Sequence, residues 1–302
     1  MRGCFHVVWL LILVVSTTAA EWWEEELAQQ EEHIAAGEVM EASAGKTLWS
    51  AGYIEVVGEA TCDMAEALSE ADCYVSARRA AIVLAHEKLS EMVNGIVVDG
   101  ETTLKNELLQ SSTLRTKTYG LLRGTEILQE DRVVLGDGSI LARVWMRLPL
   151  HGENGLSSAV LEHAAERAKA RPVPTFEFAR AVPPISYTGV IVDATGIQAQ
   201  PAMAPKLLIL EELKAALSVE QVDLSVATEL GIVAYAGTID DARMLVERIG
   251  ESPLVVTAVT SHGNTASDLV VSAEDGEALA KADPEGRLIN ACRVVFAGKS
   301  FL

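Results

Sequence analysis

Asp193, Asp240, Asp241, His262 and Asp268 are the residues of this chain best suited to acid–base or metal chemistry. Carboxylates and an imidazole at the loop ends of an α/β domain can converge on one point, which proton transfer and cation ligation both require. Each also has a plainer explanation. Asp240-Asp241 suits the first turn of a helix, where acids meet the positive end of the helix dipole, and Ser261-His262-Gly263 has no positioned nucleophile beside it. His33, His86, His151, His163 and His262 lack a compact ligand spacing. The sequence holds no P-loop, nucleophile elbow, zinc-hydrolase motif, EF-hand or CxxC pair, and Gly58-Glu59-Ala60 is not a dinucleotide fingerprint. The expectation is a protein that is not an enzyme and uses no cofactor or metal.

Contact chemistry is better represented. From Ser139 to Leu148 the chain alternates, so Ile140, Ala142, Val144, Met146 and Leu148 share one face while Leu141, Arg143, Trp145 and Arg147 share the other. A tryptophan between two guanidiniums offers apolar area together with directed bonds to an acidic or carbonyl-rich partner. Arg143, Trp145 and Arg147 are therefore the expected partner contact, with packing of Trp145 on the arginine stems as the competing reading. Cys62 and Cys73 would form a disulfide if the strand end folds back over the following helix, and buried free thiols are the alternative. With Cys292 they are too few for a disulfide scaffold.

One long helical pattern, from about Met64 to Val93, must position these groups. Leu68, Ala71, Val75, Ile82, Ala85, Leu89 and Met92 recur at helical intervals, and Ala77, Ala81 and Leu84 widen them into a broad apolar face. Asp63 with Glu66 has the form of a capping box, and Asn94-Gly95 predicts a stop through glycine's tolerance of positive φ. Arg78-Arg79 reads as part of the solvated side. Before the helix, Tyr53 to Ala60 alternates as a strand, with Gly58 and Ala60 small where the helix must come close. After it come a short strand or connection at Ile96 to Asp99, a second, weaker helix from Thr103 to Thr118, and a hairpin centred on Gly136-Asp137-Gly138.

The 302 residues, 49% hydrophobic with a mean hydropathy of +0.22, suffice for two modest packed domains. A formal charge of -19 disfavours nonspecific attraction to nucleic acid or anionic membranes. Arg2, the apolar run Phe5 to Val15 and the small residues up to Ala20 predict a signal peptide over residues 1–20. The run is short for a stable membrane span, and an uncleaved signal anchor is the alternative. Residues 21–50 read as an acidic N-terminal extension led by Trp22 and Trp23, and residues 51–152 as an α+β domain. Residues 153–186 read as a helix and proline-rich connector, and residues 187–302 as a C-terminal α/β domain. In that last part Tyr187 to Asp193, Lys206 to Leu210, Leu254 to Val259, Asp268 to Val271 and Arg293 to Phe296 read as strands. Glu211 to Leu217 and Ile239 to Val246 read as helices, as does the segment from Glu274, capped by Ser272. The expected fold class is α+β: a long helix packed on a small antiparallel sheet, followed by a second small mixed α/β domain.

Gly58-Glu59-Ala60, Ala77-Arg78-Arg79-Ala80-Ala81, Gly124-Thr125-Glu126 and Val144-Trp145-Met146-Arg147-Leu148-Pro149-Leu150 together resemble the bacterial surface-lipoprotein family typified by a Helicobacter lipoprotein. Related modules occur in the flagellar outer-membrane proteins FlgP and FlgT. The resemblance covers roughly the first half of the chain beyond the signal. Tyr187 to Ala194, Pro201 to Lys206 and Asn290 to Val295 are similar to the second half of longer members, although Thr195 stands where an arginine is frequent. No lipobox is present, so surface anchoring does not carry over. The resemblance implies a secreted, non-enzymatic envelope protein in the periplasm or at the outer-membrane periphery. Its implied partners are envelope or flagellar basal-body proteins, or a second copy of itself, and its implied role is assembly. A periplasmic ligand- or peptide-binding module is the alternative.

Overall fold

Ser69 begins the long helix: its hydroxyl accepts the Asp72 amide at 3.1 Å, and α1 then runs over Glu70–Gly95. The line it lays on the sheet steps by four, through Cys73, Ala77, Ala81, Ala85, Leu89 and Val93, all buried. Small residues bring the two layers close. A Cβ at Gly58 would collide with the backbone carbonyl of Ala81, so glycine is required beneath the helix. Three sequence expectations for this helix need correction. Asp63 caps a separate 3-10 turn, Met64–Glu66, accepting from Ala65 N at 2.8 Å. Leu68 lies ahead of the Ser69 cap, outside the helix, and is 98% exposed, while Val75 and Leu84 face outward because a buried row of period four turns them to the far side. Gly95 remains helical, and the stop is an extended Ile96, with no positive φ.

Beneath α1 lie β1 (Lys46–Leu48) and β2 (Tyr53–Cys62). The chain then forms β3 (Val97–Asp99), β4 (Thr102–Thr103), α2 (Leu104–Gln110) and α3 (Ser112–Arg123). The expected single helix from Thr103 is therefore two: Ser111 is extended, and its hydroxyl caps α3 through Leu114 N at 3.2 Å. Next come β5 (Glu126–Val134), β6 (Ile140–Pro149) and α4 (Ser157–Ala170). The four-stranded sheet is antiparallel throughout, in the order β1-β2-β6-β5. Gly138, at φ 84, turns the β5–β6 hairpin. Cys62 at the end of β2 is disulfide-bonded to Cys73 in the first turn of α1.

The second sheet collects β7 (Gly189–Asp193), β8 (Leu207–Ile209), β9 (Lys214–Leu217), β10 (Ala234–Ala236), β11 (Pro253–His262), β12 (Asp268–Val271) and β13 (Val294–Ala297). Their order is β10-β13-β7-β11-β12-β8-β9, mixed parallel and antiparallel. The expected helix at Glu211 is instead β9: Glu211 and Leu213 take φ of 76° and 48°, which turns the chain back onto β8. Five helices punctuate the strands: α5 (Leu224–Leu230), α6 (Ile239–Met244), α7 (Val246–Ile249), α8 (Ala273–Ala282) and α9 (Arg287–Asn290). Ser272 caps α8 as its sequence suggests, accepting Asp275 N at 3.0 Å.

This computed structural model describes residues 45–176 and 187–301. The expected signal, Trp22, Trp23, most of the acidic extension and the prolines Pro183 and Pro184 lie outside the described residues. One buried apolar cluster continues from Ile54 to Phe301, through both sheets. Trp49, beside β1, meets Tyr235 of β10 edge-on, with ring centroids 5.5 Å apart. The architecture is α+β, with a small antiparallel sheet and a mixed C-terminal one. No described helix is long and apolar enough to cross a membrane.

Candidate functional site

The alternation of β6 places Arg143, Trp145 and Arg147 on the face of the four-stranded sheet opposite α1, all half-buried. Register sets Trp145 between Val57 on β2 and Gln129 on β5. Both arginines are engaged within the sheet. Arg143 Nε donates to Glu59 at 2.7 Å, with Asp131 at 3.8 Å on its other side. Arg147 donates to Glu55 at 2.6 and 3.1 Å, and its guanidinium lies 3.9 Å from the ring centroid of Tyr53. Opposite charges directly across a strand pair are favourable, so the guanidiniums are satisfied by their neighbours. What the face presents is half-exposed Val57 and Trp145 between two charge pairs, with half-exposed Tyr53 beyond the Glu55–Arg147 pair. Helix α4 packs against α3 and α5.

A second polar constellation occupies the seam between the layers. Arg167 on α4 bridges Asp99 of β3 and Glu107 of α2, and His163, one turn earlier, meets Glu107 at 2.8 Å. Asp99 and Glu107 are buried, so these are ion pairs withdrawn from water. Beside them Asp268 accepts amide protons from Gly100 at 3.2 Å and Lys206 at 3.0 Å, with Lys206 Nζ at 3.3 Å. Burial pushes the Asp268 carboxyl above its ordinary range, Lys206 pulls it back, and the nearby Asp99 charge adds to the rise. A cleft of about 670 Å³ opens next to this network. Glu101, Arg171 and Glu220 line it, exposed and without an ion pair among the described residues.

The acid–base set expected from sequence is dispersed into local roles. Asp193 accepts from Thr195 N at 2.9 Å in its own turn, and Asp240 pairs with Arg243 at 3.4 Å. Asp241 binds the Thr238 hydroxyl that caps α6. His262 sits opposite Asp268 in the β11–β12 ladder, yet His262 is exposed while Asp268 is buried. Among the described residues no group of His, Cys, Asp and Glu could hold a metal ion. The seam residues Asp99, Glu107 and Lys206 went unrecognised in the sequence. Arg167 carried the available signal, since it follows Leu156, Val160 and Ala164 at apolar helical spacing, and a charge on a packed helix face needs a buried partner.

The fold and these two sites define a layered α+β protein with one open sheet face and a charged seam. Residues 189–299, from the first residue of β7 to just past β13, match the family model of the second domain of Treponema pallidum Tp0624. The match takes in the seven-stranded sheet and less than half of the chain. No curated protein matches the sequence.

Proposed function

We propose that this chain is a secreted, non-enzymatic envelope protein that acts by protein contact in periplasmic or outer-membrane assembly, with a flagellar structure among the candidate settings. The open face of the four-stranded sheet carries the reading. Val57 and Trp145 form an apolar centre between the Glu55–Arg147 and Glu59–Arg143 pairs, with Tyr53 beyond the first pair, an arrangement suited to a contact surface. The Cys62–Cys73 bond suits an oxidising compartment, as does the signal-like start of the sequence. The resemblance to envelope and flagellar outer-membrane proteins supports the same role. A photo-crosslinking amino acid in place of Trp145, irradiated in cells, tests it. The expected product is one discrete adduct containing an envelope protein, absent when the crosslinker replaces the exposed Met244. Identical adduct patterns from the two positions would reject the face.

The seam cleft favours a second reading, a periplasmic module binding a small ligand or peptide, because Arg171, Glu101 and Glu220 stand around it with no ion pair among the described residues. Calorimetric titration with amino acids and short peptides separates the two. Binding abolished by Arg171→Glu, with the Trp145 adduct absent, would put this reading first.

A further inference from the structure

The outward side of α1 sets exposed apolar residues among its charges, where a helix covering one side of a sheet is normally polar. Opposite its buried alanine line, Val75, Val83 and Leu84 are 44%, 56% and 39% exposed. Val75, Arg79, Val83, Glu87 and Glu91 step by four and form one outward ridge, every member exposed. Ser76, Ala80 and Leu84 make the adjoining, lower ridge, also exposed. Arg79 and Glu87 flank Val83 symmetrically along the ridge. Neither makes an ion pair among the described residues, whereas the neighbouring Arg78 is held by Glu130 at 2.5 Å. Within one helix they lie about 12 Å apart along the axis, at a rise of roughly 1.5 Å per residue, too far to pair with each other.

Two such helices brought together antiparallel about a twofold axis at Val83 place Arg79 of each copy opposite Glu87 of the other. A surface carrying charges of opposite sign at equal distances from an apolar centre is complementary to itself, as a twofold interface requires. We propose that the outward face of α1 is a self-association surface: two copies of the chain pack through Ala80, Val83 and Leu84, with reciprocal Arg79–Glu87 pairs setting the register and Val75 of each copy at the margin beside Glu91 of the other. Exposed ion pairs contribute little affinity, so burial of Val83, Leu84 and Ala80 drives association while the charges select orientation. The contact spans a few helical turns and belongs with small interfaces, giving a reversible dimer. It lies on the opposite side of the layer from Trp145, so the dimer stands independently of the function proposed above and leaves the sheet face free.

Charge exchange tests this directly, by sedimentation velocity on the full chain over about a hundredfold concentration range. The wild type should pass from monomer to dimer. Arg79→Glu alone and Glu87→Arg alone should each weaken the dimer at least about tenfold, since each sets like charges opposite twice. The combined Arg79→Glu/Glu87→Arg chain should recover to within about threefold of wild type. All these positions are exposed, and unchanged thermal unfolding would verify that the fold is intact. Val83→Cys in a chain that also carries Cys4→Ser should in addition give a covalent dimer with a short bis-maleimide, because Cys292 is buried and Cys62 is bonded to Cys73. A wild type that stays monomeric, single variants that dimerise as it does, or a combined exchange that fails to restore association would each overturn the proposal. Loss of a different bound protein from Arg79→Glu, with no dimer in the wild type, would make the face a heterologous contact and equally reject it.

Discussion

Along β6 of the four-stranded sheet every second residue is buried from Ile140 to Leu148, whereas in β13 of the seven-stranded sheet Val294, Val295, Phe296 and Ala297 are all buried. The difference follows strand direction and cover. Antiparallel hairpins need a helix on one side only, and α1 supplies it, leaving Glu55, Val57, Arg143 and Trp145 half-exposed. The parallel-paired strands β7 and β13 are covered on both faces and build core, whereas β11, at their side, buries Val256 and leaves Val255 and Thr257 exposed. The first region holds the proposed contact face, and the seam ties it to the second. Residues matching the Tp0624 second domain lie in the second region, while the expected partner contacts lie in the first.

The seam should show the largest effect. Arg167→Ala leaves Asp99 without its cation and Glu107 with only His163 beside it, and removing one partner of a buried pair costs about 3–5 kcal/mol. Urea denaturation should show that loss in one transition shared by both regions; separate transitions would break the picture of two regions tied by the seam. Leu89→Ala, inside the first region, should cost about 2–5 kcal/mol, while Val83→Ala on the outer ridge of the same helix stays within about 0.5 kcal/mol. Equal losses would mean that the two sides of α1 do not differ. Cys62→Ser/Cys73→Ser should lower stability by roughly 3 kcal/mol, as expected for a short closed loop, with peptide mapping of the parent chain recovering Cys62 joined to Cys73.

Acid should act next, through His151 in the loop that leads from β6 to α4. Burial, reinforced by the charge of Arg248, lowers its pKa from 6.5 to about 4. Between these values the unfolded chain binds more protons, so this contribution, at most about 3 kcal/mol, is full above pH 6.5 and lost as pH falls toward 4. Asp268 and Asp283 work in the opposite sense: burial raises both, so the folded state holds their protons more tightly and their contribution is lost as pH rises. Denaturation midpoints followed across that range should fall with acid, and His151→Asn should flatten the curve. The smallest effect belongs to the open face. Glu55→Gln should cost under about 1 kcal/mol and less in high salt, because its pair with Arg147 is half-exposed. A larger loss would mean the face is core.

Alternation and turn chemistry were legible without any structure. Ile140 to Leu148 announces its buried face by period two, and Gly136-Asp137-Gly138 announces its hairpin, since both depend on local backbone geometry alone. Gly58 could be read as a point of close approach for the same reason. The helix α1 was legible as a helix, but its apolar residues nearly surround it, and periodicity cannot tell which ridge meets the sheet. Packing chose the line of Cys73, Ala77, Ala81, Ala85, Leu89 and Val93, leaving Val75, Val83 and Leu84 outside. Glu211 to Leu217 has helical composition, yet two left-handed residues and pairing with β8 make its end a strand. The candidate contact row was visible as residues, but not its ion pairs with Glu55 and Glu59, which require β2 beside β6. Only the tertiary structure brings Gly100 to Asp268 and Arg167 to Asp99, because a buried charge acquires its partner from whatever chain the fold sets against it, however distant in sequence.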